Sequence, residues 1–226
     1  VKGETTTMSV RETFEEELKQ LQQKLVDLAN FAYDALGQSI KALENHDVDH
    51  ALRIMDGDSR ADLMYEELND FATLLIAKQQ PVAVDLRRIL IAIRISTDVE
   101  RIADFAVNIA KSTIRIGQES HLETITKLKK MYEISGEMFR DALKAFNEED
   151  LSLAKKVADM DDQVDALYGE TIAELFEMNK EHPENLPQVM QMLFICRYLE
   201  RTADHITNIS EYIFYLVKGR HYDLNQ

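Results

Sequence analysis

Two acidic patterns in this chain could do chemistry, and each occurs twice. Asp56-Gly57-Asp58-Ser59-Arg60-Ala61-Asp62-Leu63-Met64-Tyr65 and Asp159-Met160-Asp161-Asp162-Gln163-Val164-Asp165-Ala166-Leu167-Tyr168 both read D-x-D-x-x-x-D-x-x-Y, at an offset of 103. Glu100-Arg101-Ile102-Ala103-Asp104 and Glu200-Arg201-Thr202-Ala203-Asp204 both read E-R-x-A-D, at an offset of 100, with Asn108 and Asn208 one helical turn further on. On a helix, positions i and i+4 share a face, so Asp58 with Asp62, Glu100 with Asp104, Asp161 with Asp165 and Glu200 with Asp204 each form a short acidic row. If two rows face each other, their carboxylates repel and lose hydration, so some hold protons or a multivalent cation neutralises them. Carboxylate oxygens suit Mg, Mn, Ca or Fe, and they also ligate Zn.

One acidic pair in an acidic, helix-rich chain is ordinarily a solvated face; recurrence in register is what favours a metal. The surroundings point the same way. Val99, Ile102, Ala103, Phe105, Ala106, Val107, Ile109 and Ala110 leave the Glu100 row as the polar line of an otherwise apolar helix, and Leu199, Ala203, Ile206 and Ile209 do so in the second copy. Arg101 and Arg201 are expected to pair with facing acids, and Tyr65 and Tyr168 to pack or orient a ligand. His205 reads as a rim histidine beside Asp204, Cys196 as core, and Lys127, Lys129 and Lys130 as a solvated face. None of the six histidines has a glutamate three residues before it, which argues against the Glu-x-x-His ligation of ferritin-like di-iron enzymes. No Gly-rich phosphate loop is present.

The elements that must position these rows are helices. The chain has 226 residues with only seven glycines and three prolines, 45% apolar and 30% charged, too little turn chemistry for a sandwich, barrel or propeller. Phe14, Leu18, Leu21, Leu25, Leu28, Ala32, Ala35 and Ser39 recur in steps of four and three, the stripe of an amphipathic helix. Helices are expected over about 10–45, 48–78 and 83–116, then 120–146, 149–180 and 186–218. Asn45-His46-Asp47, Gln79-Gln80-Pro81, Gly117 and Gly219 mark breaks and caps. The expectation is an all-α chain built as a tandem repeat of two elongated antiparallel three-helix bundles, six long helices in all, over residues 8–118 and 119–226.

The net charge of −15 disfavours nucleic acid as a partner. The single cysteine fits a reducing compartment, and no apolar run approaches a membrane span. Val1–Thr7 lacks the apolar core of a signal peptide and reads as a leader upstream of a start at Met8.

Tandem three-helix repeats with D-x-x-x-D on the second helix and E-x-x-x-D on the third resemble the PhoU family of phosphate-transport accessory proteins, from Met8 nearly to the end. The resemblance implies a cytoplasmic, non-enzymatic negative regulator of phosphate uptake and the Pho regulon. Such a protein links the Pst phosphate transporter, through its ATPase subunit, to the PhoR sensor kinase, and is expected to be a homodimer. It also implies multinuclear metal clusters, iron or zinc, on Asp58, Asp62, Glu100 and Asp104 and on Asp161, Asp165, Glu200 and Asp204. The competing readings are a carboxylate-bridged di-metal enzyme and a metal-free helical scaffold.

Overall fold

The structure is a computed structural model that describes residues 10–117 and 125–224. It describes no side chain for Asp58. The described residues are largely helical: α1 Val10–Glu44, α2 Val48–Asp56, α3 Asp58–Gln79, α4 Ala83–Ile116, α5 Ile125–Glu148, α6 Leu151–Glu181 and α7 Leu186–Lys218, with a 3-10 turn at Pro183–Asn185. No strand occurs among the described residues. The all-α expectation holds, with one difference inside it. The second long helix, expected unbroken over 48–78, is interrupted at Gly57, where the N–H bonds the Ile54 carbonyl in a tightened last turn. The second copy has Met160 at that place, and α6 runs through it. Residues 120–124 of the expected fifth helix lie outside the described residues.

Local chemistry sets the ends in matching pairs. Asp47 Oδ1 accepts from the His50 N–H at 2.8 Å, and Asp150 Oδ1 from the N–H groups of Ser152 and Leu153 at 2.8 and 3.1 Å, satisfying donors that a helix start leaves open. Just before each cap, His46 and Glu149 adopt left-handed conformations, φ 52° and 54°. The N–H groups of Asp47 and Asp150 reach back to the Ala42 and Ala145 carbonyls, both at 2.9 Å, closing Schellman turns. Gly219, at φ 69°, ends α7 in the left-handed region where a side chain would be strained.

α1, α4, α7 and α5 pack in a closed ring of four, α1 on α4, α4 on α7, α7 on α5 and α5 back on α1. α2 and α3 lie outside this ring on α1 and α4; α6 lies outside it on α5 and α7. One apolar core runs through both copies, from Leu21, Leu25 and Leu28 through Ile95, Ile102 and Ile109 to Leu199, Ile206 and Ile213. Each such side chain, fully buried, contributes about 1.5–3 kcal/mol. α4 and α7 meet antiparallel. Asp98 lies opposite His205, and Phe105 stacks on Tyr198 with ring centroids 5.8 Å apart. The α1–α5 contact rests on two tyrosines and two glycines. Tyr33 lies over Gly136, Tyr132 over Gly37, and their rings stack at 5.2 Å.

Candidate metal centre

The second copy brings its two acidic rows together. α6 presents Asp161 and Asp165, and α7, packed against it, presents Glu200 and Asp204. Asp161 is 6% exposed. Burial, and then the charges of Asp165 and Asp204, push its carboxyl up to about 7, with a smaller push from Glu200; the Thr207 hydroxyl opposes this. That hydroxyl faces Asp161 without the alignment of a full hydrogen bond. Asp165 is raised by burial and by Asp204. Glu200 is raised by burial and Asp204, against the opposing charges of Arg197 and Arg201.

Asp161 Oδ1 and Glu200 Oε2 are buried and make no hydrogen bond. Buried oxygens without a donor, in carboxylates that repel one another, are the donor chemistry that a hard or borderline cation takes. The residues fit a cation in kind and charge. As the side chains stand, no three His, Cys, Asp or Glu groups among the described residues gather round one point. The rows sense one another across the α6–α7 contact without closing on a shared centre.

The first copy matches the second in exposure, Asp62 like Asp165 exposed and Glu100 and Asp104 like Glu200 and Asp204 half-buried, but differs in its ion pairing. Arg101 sits 3.0 Å from Asp104 and 3.6 Å from Glu100. It was expected to reach across to facing acids; instead it folds along its own helix, because position i+3 lies beneath its guanidinium. The side chain of Asp58 falls outside the described residues. Tyr65 meets Thr97 of α4 at 3.5 Å.

Three expectations about neighbouring residues change. His205 is no rim group: its Nδ1 lies 2.6 Å from Asp98 Oδ1 across the α4–α7 seam, and its ring leans on Phe105 at 5.6 Å. Asn208 does not extend the acidic row, since its amide donates to the same Asp98 oxygen at 3.1 Å. On α5, Lys129 and Lys130 are exposed as a solvated face should be, but half-buried Lys127 is not, and two of the three lysines tie helices together. Lys127 bridges to Glu170 and Glu174 of α6, and Lys129 to Glu44 of α1. Cys196 is core as expected, with burial pushing its thiol up to about 12.

Asp98 itself was missed. The signal was available, because Ile91, Ile95, Asp98, Ile102, Phe105 and Ile109 are spaced as one buried stripe of α4, and a single acid in such a stripe needs a partner. The repeat also singles it out. At the offset of 100, the pair Asp98–His205 corresponds to Tyr198–Phe105, so one seam position carries a polar contact and its counterpart an aromatic stack.

Comparison with known proteins agrees with this fold. The family model "PhoU domain" matches twice, over residues 25–113 and 128–213. The phosphate-specific transport system accessory protein PhoU homolog of Clostridium acetobutylicum is 37% identical over 216 residues, covering 95% of this chain and 99% of that protein. The crystal structure of the phosphate transport system regulatory protein PhoU from Streptococcus pneumoniae superposes with a TM-score of 0.87 at 29% identity, covering 93% of this chain and 99% of the other. PhoU from Pseudomonas aeruginosa gives 0.86 at 28% identity, covering 92% and 100%. A doubled helical unit matched by the family model in both copies, over relatives aligned almost end to end, places this chain in the PhoU family.

Proposed function

We propose that this chain is a non-enzymatic, cytoplasmic regulator of phosphate uptake. It acts as a negative regulator of the Pho regulon between the Pst transporter, at its ATPase subunit, and a PhoR-type sensor kinase. The observation that carries the reading is similarity to phosphate-transport accessory proteins along nearly the whole chain. No described helix is long and apolar enough to cross a membrane, so the chain would meet the transporter through its outer helical faces. The halves 8–118 and 119–226 act as repeats of one unit, and the functional form is a homodimer. The test is complementation. In a bacterium lacking its own family member, this chain restores repression of a phosphate-starvation reporter at high phosphate and is recovered bound to the transporter ATPase or the kinase. Constitutive reporter expression despite abundant folded protein overturns the reading.

Two metal centres belong to the same proposal, one on Asp58, Asp62, Glu100 and Asp104, the other on Asp161, Asp165, Glu200 and Asp204. Iron or zinc is the expected metal. A bound cation would offset the repulsion that raises Asp161, Asp165 and Glu200. Protein purified without chelator is expected to carry metal by elemental analysis. Replacing Asp58 and Asp62 by Asn is expected to lower the content at the first centre and spare the second, whereas equal loss from both contradicts two separate centres.

A further inference from the structure

The two copies differ beside the helix break. A cavity of about 180 Å³ opens there between α1, the α2–α3 junction and α4. Phe31, Ala35, Ile54 and Ala61 contribute to its apolar wall, Gly57 lies at its edge, and Asp34, Gln38 and Arg53 supply polar groups. At the offset of 103, Ala35 corresponds to Met138, Gly57 to Met160 and Ala61 to Val164. Those larger side chains are all buried in the second copy, at 0%, 8% and 0% exposure. The second copy therefore fills with its own thioether and branched side chains the space that the first leaves open.

The backbone does not require the glycine. Gly57 has φ −85° and ψ −3°, which any residue adopts, and a Cβ there would meet the Ile54 carbonyl at 3.5 Å, an ordinary contact. Its smallness leaves room rather than serving a turn. An apolar wall left open in this way stays in contact with water unless something covers it. The polar groups carry both signs of charge. Asp34 and Arg53 are both exposed at its mouth, while Arg60 is occupied over the Phe31 ring at 5.3 Å. The volume is below the roughly 300–1,000 Å³ of sites for drug-sized molecules, so the occupant is small.

We propose that this cavity binds a free apolar α-amino acid. Its side chain takes the place that Met160 fills in the second copy, its carboxylate meets Arg53 and its ammonium group meets Asp34. The proposal uses none of the acidic rows and does not depend on the phosphate reading. Calorimetric titration of the full chain with L-methionine and with L-leucine tests it. The expected result is saturable one-to-one binding. Ala35→Met and Gly57→Met, each restoring the second copy's residue, are expected to weaken it at least tenfold with helix content and melting temperature kept. Arg53→Gln and Asp34→Asn are expected to weaken it tenfold without filling the cavity, and these two decide the matter should a filled variant fail to fold. N-acetylmethionine and methionine amide, each lacking one charge, are expected to bind correspondingly worse. Absence of binding at tens of millimolar overturns the proposal. So does binding that survives the rim substitutions, or equal affinity for an uncharged thioether of the same size.

Discussion

At the scale of single residues, Asp161 is where burial and like charge act together most strongly. Its carboxyl is held near 7 in the folded, metal-free chain, against about 3.9 when unfolded. The sign follows from linkage. Between those values the native state keeps a proton that the unfolded state has released, so stability falls as pH rises from about 4 to 7 and stays lower above that. Asp161→Asn removes the effect. In chelator-treated protein the variant is expected to be more stable than the parent at pH 8, by on the order of 2–4 kcal/mol, with the gap closing below about pH 4. Denaturant unfolding at several pH values measures this. A constant difference across that range would mean that Asp161 is already charged and compensated in the folded state. The same substitution should lower metal content at the second centre, so stability and metal loading are expected to move in opposite directions.

At the scale of elements, helix–helix contacts are set by how closely backbones can approach. A Cβ added at Gly136 would lie 1.8 Å from Tyr33 Oη and 2.6 Å from its Cζ, and one at Gly37 would lie 2.6 Å from Tyr132 Oη. Neither tyrosine can swing away cheaply, because the two rings stack on each other and Tyr33 also leans on Phe139 at 6.0 Å. Overpacking of this kind costs about 1–3 kcal/mol, more than the roughly 1 kcal/mol of helix propensity that Gly→Ala gains. Gly136→Ala is therefore expected to destabilise, Gly37→Ala to do so less, and Tyr33→Phe to recover part of the loss in the Gly136→Ala background. Thermal melts of the parent, Gly136→Ala, Tyr33→Phe and the double variant form the cycle that checks the contact; a neutral Gly136→Ala would show that α1 and α5 can part there. This scale also marks what the sequence could and could not reveal. Helix periods, the caps at Asp47 and Asp150 and the stops at Gly117 and Gly219 are local, and local chemistry fixes them. The interruption at Gly57 is half local: glycine is a weak helix former, but only the unbroken passage through Met160 shows that the break belongs to one copy. The acidic rows were legible because they repeat. The contacts of Asp98 and the glycine notches were not, since they depend on which turn of one helix meets which turn of another, far away in sequence.

At the scale of the whole molecule, the two repeats are similar in sequence yet share one interior. α4 and α7 are the most extensively buried helices of their halves, and each turns one face to the other rather than to solvent. Asp98 belongs to the first half and is 6% exposed, and the groups that face it, His205, Asn208 and Tyr212, all come from the second. Removing the second half would leave that carboxylate without those donors and would bare the apolar face of α4 around it, each a destabilising change of several kcal/mol. Phe105 would likewise lose Tyr198. Repetition of a unit does not by itself make the unit autonomous when its best-packed helix is completed by its neighbour. Residues 8–118 and 119–226 expressed separately are accordingly expected to be helical but non-cooperative in unfolding, to bind a hydrophobic dye, and to regain a sharp transition when mixed. Asp98→Ala in the intact chain is expected to lower stability by about 3 kcal/mol, because it leaves His205 and Asn208 without their acceptor. If each half instead melts cooperatively alone and mixing changes nothing, the seam joins two finished domains and the shared interior contributes little to holding either together.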